Sequence, residues 1–186
     1  MNGPPGIGKS TLAQMYVDNH PGVLNLDIDK LRPLVGGWSD HFAETGALVR
    51  PIALAMAATH LRAGHDVVLP QYLGRLSEIE RFEAVAHQGA AMFCEIAVMD
   101  TRDRSLERFA NRGHGSDEAW HRQVQDLVDR TGGVSLLTDM YDQLTEVLRS
   151  RPAVTVVPSD ADEIQRTYEA VTAVLDGADA SAARDG

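Results

Sequence analysis

Gly3-Pro4-Pro5-Gly6-Ile7-Gly8-Lys9-Ser10-Thr11 follows only two residues and runs straight into Leu12-Ala13-Gln14-Met15-Tyr16, a stretch with helical apolar spacing. It satisfies G-x-x-x-x-G-K-[ST] at every defined position, in the loop-to-helix context that the pattern demands. Glycines at 3, 6 and 8 permit positive φ and close backbone approach. Successive amides can therefore turn inward on phosphate oxygens, and the following helix adds the favourable end of its dipole. Lys9 is spaced to meet β- and γ-phosphates, and the Ser10 hydroxyl to coordinate Mg²⁺. A plain glycine turn before a helix would need neither the lysine nor the hydroxyl pair. These nine residues, Gly3, Pro4, Pro5, Gly6, Ile7, Gly8, Lys9, Ser10 and Thr11, are expected to form a Mg-ATP site.

Outward from the loop, two-residue and 3.6-residue apolar periods alternate, the pattern of a largely parallel sheet covered by helices. Helices are expected over Ser10–Asn19, Ala47–Arg62, Ser77–His87, Asp103–Arg112, Ser135–Arg149 and Ala161–Leu175. Strands are expected over Val23–Asp27, Asp66–Pro70, Met92–Met99 and Ala153–Val157. Gly64 and Gly89 stand where two helices should stop, and Ser77 with Glu80 has capping-box spacing. Residues 1–176 read as one domain and 177–186, small and polar, as a disordered tail. A phosphate loop of this kind follows a central buried strand, yet only Met1 and Asn2 precede Gly3. Without that strand its neighbours would face the interior with unpaired N–H and C=O groups. The first strand is thus expected to be missing or truncated, and the natural protein to begin a few residues upstream.

With 44% hydrophobic residues in 186, the chain suits one compact α/β domain. Its 17 Lys and Arg against 27 Asp and Glu give a net charge of −10, which disfavours bulk attraction to nucleic acid or anionic lipid, so local cations must hold any anionic ligand. No apolar run approaches the roughly 20 residues that span a bilayer, and no secretory signal opens the chain, so a cytoplasmic protein is expected. The lone Cys94 excludes an internal disulfide and reads as a core residue. His41, His60, His65, His87, His114 and His121 lack the i, i+4 pairing that holds zinc, and no transition metal is expected.

Asp27 and Asp29 stand two apart at the C-terminal end of a strand, the edge where ligands bind in open α/β sheets. Alternation would send both to one face. A kinase needs a carboxylate to take the proton of the acceptor hydroxyl close to the γ-phosphate, and Asp29 is the candidate. Asp27 is the candidate to support Mg²⁺ with Ser10, and Arg32 to hold an anionic part of the acceptor or a phosphate. The alternative is a solvated turn with Asp29 as helix N-cap. Further on, Arg104, Arg108 and Arg112 recur every fourth residue along one helical face, with Leu106 and Phe109 on the buried side. In an acidic protein this row reads as a lid over about 102–133 that neutralises charge on the transferred phosphoryl group, Arg108 and Arg112 foremost. The alternative is a solvated face paired with Glu107 and Asp103. Trp38 either stacks on a ring of the acceptor or plugs the core.

With these residues in hand, the chain resembles small P-loop kinases of the zeta-toxin, chloramphenicol phosphotransferase and polynucleotide-kinase-like group, often described as AAA-domain ATP-binding proteins. The resemblance spans about Gly3 to Leu175. It implies a three-layer P-loop NTPase sandwich with a parallel sheet of order 2-3-1-4-5, an Asp at the Asp29 position activating a hydroxyl, lid arginines at Arg108 and Arg112, and Thr11 on the α-phosphate. One departure lies at Gln71, where many relatives carry an acid. A neutral amide holds Mg²⁺ less well than a carboxylate. Gln71 and Arg75 then contact the acceptor, or Gln71 merely satisfies backbone groups. The expected activity is transfer of the γ-phosphoryl of Mg-ATP to a hydroxyl of a small molecule. The alternatives are a nucleotide-dependent switch without such an acceptor, and a kinase for nucleic-acid ends. Lys9→Ala should weaken Mg-ATP binding at least tenfold, about 1.4 kcal/mol, by calorimetry on the folded protein; unchanged affinity would refute the loop assignment.

Overall fold

The computed structural model describes residues 1–112, 125–126, 128–130, 132–160 and 163–185. Four short parallel strands carry the fold: β1 (Leu24–Asn25), β2 (Val67–Val68), β3 (Ile96–Met99) and β4 (Thr155–Pro158). β1 pairs with β2 in the register Leu24 to Val67, and β3 with β4 in the register Ile96 to Thr155. Between the two pairs lie Met1 and Asn2. The Met1 amine donates to Leu69 O at 2.9 Å, and Gln71 N donates to Met1 O at 3.1 Å. On the other side, Asn2 N donates to Ile96 O at 2.7 Å and Val98 N to Asn2 O at 2.8 Å. Two residues thus stand where the sequence calls for a central strand, and all strands are shorter than their apolar runs suggested. A parallel ladder ends where its neighbour does.

The helices are α1 (Lys9–Asn19), α2 (Phe42–Arg62), α3 (Leu76–Gln88), α4 (Arg102–Arg112), α5 (Gly133–Arg149) and α6 (Ile164–Asp185), with a 3₁₀ helix at Ile28–Leu34. Helices α2 and α3 pack together over one core cluster built on Leu26, Val49, Ala53, Ile79 and Phe82. Helices α1 and α6 close a second, built on Ile7, Leu12, Ile96, Val98, Val157 and Val171, against which the half-buried Cys94 also packs. Three boundaries differ from expectation. Helix α2 begins at Phe42 rather than Ala47 and passes through Gly46 and Pro51. Helix α3 begins one residue before Ser77, with extended Arg75 as its N-cap and no side-chain cap bond, so the capping box is not formed. Helix α6 continues past Leu175 through the residues marked for disorder, where four alanines among residues 177–185 favour helix. No helix among the described residues is long and apolar enough to cross a membrane.

Beyond the Met1 nitrogen, between the flanks of β2 and β3, lies a cavity of about 450 Å³. Tyr16 and Leu175 line it from the α1–α6 side, Ile79 and Phe82 from the α2–α3 side, and Val67 and Ile96 at the strand edges. Joining five β-branched residues ahead of Met1 should therefore raise the melting temperature by at least about 2–4 °C, the shift one kcal/mol gives in a chain of this size. A Gly/Ser leader of equal length should not, as calorimetric scans of the two would show.

Candidate functional site

The glycine loop is built from below. Ile7, fully buried in the second core cluster, pins it to β3 and β4, and burying such a side chain is worth about 1.5–3 kcal/mol. Asn2, 3% exposed, donates through Nδ2 to Leu73 O at 3.0 Å and accepts through Oδ1 from Leu73 N at 2.9 Å and Gly3 N at 2.8 Å. Gly6 has φ 81°, and a Cβ there would lie 3.1 Å from Phe109 Cα, so α4 passes directly over the loop. Gly8 N-caps α1 in the left-handed region, and no side chain caps the amides that follow. A helix N-terminus without a side-chain cap suits an anion. Lys9, buried, donates from Nζ to Gly3 O and Pro4 O, both at 2.9 Å. Thr11 is exposed on the first turn and Ser10 half-buried.

The acidic pair follows β1. Asp27 is buried and caps the 3₁₀ helix, accepting from Asp29 N at 3.2 Å. The cap is thus Asp27 rather than Asp29, and the alternation expected to align the two does not apply, because the strand ends at Asn25. Burial raises the Asp27 carboxyl above the usual aspartate range, a hydrogen bond with Ser10 opposing it. Ser10 and Asp27 thus lie near each other, and a carboxylate beside a hydroxyl is a donor pair that suits Mg²⁺. Asp29 keeps a third of its side chain exposed and pairs with Arg32 Nε at 3.2 Å. Arg32 is held within the fold: its Nη1 donates to Phe42 O at 2.6 Å and its guanidinium lies 4.1 Å over the Phe42 ring.

Gln71, 8% exposed, has its backbone N–H bonded to Met1 O, and its Oε1 has no hydrogen-bond partner among the described residues. A buried acceptor left unpaired costs about 1–3 kcal/mol and marks a place for an outside donor. Tyr72 beside it donates to Met140 O at 3.0 Å, and burial pushes its hydroxyl up to about 12. Arg75 is exposed ahead of α3, and Trp38 is half-buried in the loop before α2.

The arginine row divides. Arg108 is nearly buried, pairs with Asp100 Oδ2 at 3.0 Å, and reaches Ser159 Oγ at 2.9 Å, Ser159 O at 3.1 Å and Ile7 O at 3.4 Å. Arg104 is exposed and 4.0 Å from Asp100. Arg112 ends α4, its side chain outside the described residues, as are 113–124, 127 and 131 of the expected lid loop. Asp100, 6% exposed, and Ser159 went unnoticed in the sequence. An acid immediately after a buried strand, two helical turns before an arginine, was the available signal.

A family model described as an AAA domain matches residues 1–134. The solved structure of the tunicamycin resistance protein of Deinococcus radiodurans aligns with a TM-score of 0.58 and 17% identity, covering 94% of this chain and 92% of that one, a likeness of fold. No curated protein matches the chain by sequence. Removing Arg108 strands the Asp100 carboxylate. Arg108→Ala is thus expected to cost about 3–5 kcal/mol in urea unfolding, and Asp100→Leu/Arg108→Leu distinctly less; equal losses would mean that the pair does not hold α4 down.

Proposed function

The chain belongs to the AAA-domain family whose model spans residues 1–134, a P-loop kinase-like family, and on that premise we propose that it moves the γ-phosphoryl of ATP to a hydroxyl of a small molecule. The observation that supports this is the hydrogen bond from Asp29 N to Asp27, which holds a carboxylate with a third of its side chain exposed just after β1, while Asp27 itself lies near Ser10 of the glycine loop. Loop amides from Gly3 to Thr11 and the Lys9 ammonium hold the triphosphate, and Ser10 with Asp27 holds Mg²⁺. The metal, when bound, offsets charge on the β- and γ-phosphates.

The acceptor oxygen attacks the γ-phosphorus, its proton passes to the Asp29 carboxylate, and ADP leaves with its charge still on Lys9 and the amides. Arg108, within reach of Ile7 O, holds α4 over the loop, and Arg112 adds charge from the same helix. Arg75 and the unpaired Gln71 Oε1 take part in holding the acceptor, the amide accepting a hydroxyl proton or a bound water. Net charge −10 supports a small acceptor over nucleic acid. An ATP-consumption screen over small hydroxyl compounds, tunicamycin among them, tests the reading beside Asp29→Ala. Turnover that rises with one acceptor and falls at least about 10²-fold in the variant, with ATP binding kept, is expected. Tight ATP binding with no acceptor effect would favour a nucleotide switch instead.

A further inference from the structure

Helix α2 carries a glycine in its second turn, Gly46, where alanine would favour the helix. It is buried, and a Cβ built on it would lie 2.8 Å from Arg32 Nη1, 3.0 Å from Nη2 and 3.2 Å from Cζ. The guanidinium is thus seated flat on bare helix backbone. Its edge donates to Phe42 O, its face rests on the Phe42 ring, and its Nε holds Asp29 Oδ1. Such a planar group fixed at three points orients whatever its remaining edge touches. The rest of Asp29 is fixed from the other direction, its N–H bonded to Asp27, which itself meets Ser10 of the loop.

We propose that Arg32, seated in the gap left by Gly46 and stacked on Phe42, is the positioning residue that aims the Asp29 carboxylate, so that the start of α2 sets the geometry of proton transfer. This rests on the reading of Asp29 as the proton acceptor.

Gly46→Ala displaces the guanidinium while keeping its charge and strengthening the helix, and Arg32→Gln removes the charge. The measurement is steady-state Mg-ATP hydrolysis, water serving as acceptor, on the full chain, with Asp29→Asn as reference and thermal melts to confirm folding. Both variants should lower kcat by roughly ten- to a hundredfold with KM for Mg-ATP unchanged, the scale expected of a misplaced catalytic group. Neither should lower it further in the Asp29→Asn background, because the two act through one carboxylate. Arg32→Lys in the Gly46→Ala chain, slimmer at its tip, should recover part of the loss. Wild-type kcat in Gly46→Ala and Arg32→Gln, or losses that multiply with that of Asp29→Asn, would overturn the proposal while leaving Asp29 in place. Wild-type hydrolysis by Asp29→Asn itself would overturn the underlying reading.

Discussion

The structure depends on how one asparagine is held. The backbone of Asn2 bridges β3 on one side, and its carboxamide clasps Leu73 and Gly3 on the other, so that five hydrogen bonds converge on a single buried residue. Buried polar networks of this kind are stiff because each unmet bond would carry the full desolvation cost. The glycine loop starts at the next residue, so its first amide inherits that stiffness. The segment after β2 is fixed by the same side chain, which places Gln71 and Tyr72 relative to the loop without any direct bond between them.

From this anchor outward, the site is a set of short bonded steps between neighbouring elements. Ile7 ties the loop to the core, Arg108 and Ser159 tie α4 and the end of β4 to Ile7, and Asp27 ties the end of β1 to Ser10. Each step joins the C-terminal end of a strand to the loop, the edge at which α/β sheets bind ligands. Two of the charges involved, Asp27 and Asp100, sit nearly out of water. Asp100 is matched by Arg108, whereas Asp27 accepts from a backbone amide, with the Ser10 hydroxyl and the Lys30 charge also favouring its ionised form.

Much of this was legible in the sequence. The loop was fully specified by local chemistry, because its glycines, lysine and hydroxyl act within one turn. The alternation of helices and strands followed from apolar periods. What escaped depended on distant partners. The start of α2 was set too late because Gly46 looks like a boundary until the guanidinium lying on it is seen. The seat of Arg32 escaped because sequence spacing does not reveal that Phe42 offers both a carbonyl and a ring face. The Ser77 capping box failed because Arg75 is extended and takes the cap position itself. Asn2 carried no pattern at all, since its role exists only once β2 and β3 stand on either side.

The bonds of Lys9 to Gly3 O and Pro4 O have an entropic side. A lysine side chain free in water samples many rotamers, and freezing it costs about 2 kcal/mol. Here the freezing happens when the protein folds, since the ammonium is buried and doubly anchored on backbone carbonyls. A cation fixed in this way adds little rotamer loss to the binding of an anion beside it. Affinity for phosphate tails is thus drawn in part from the stability of the fold.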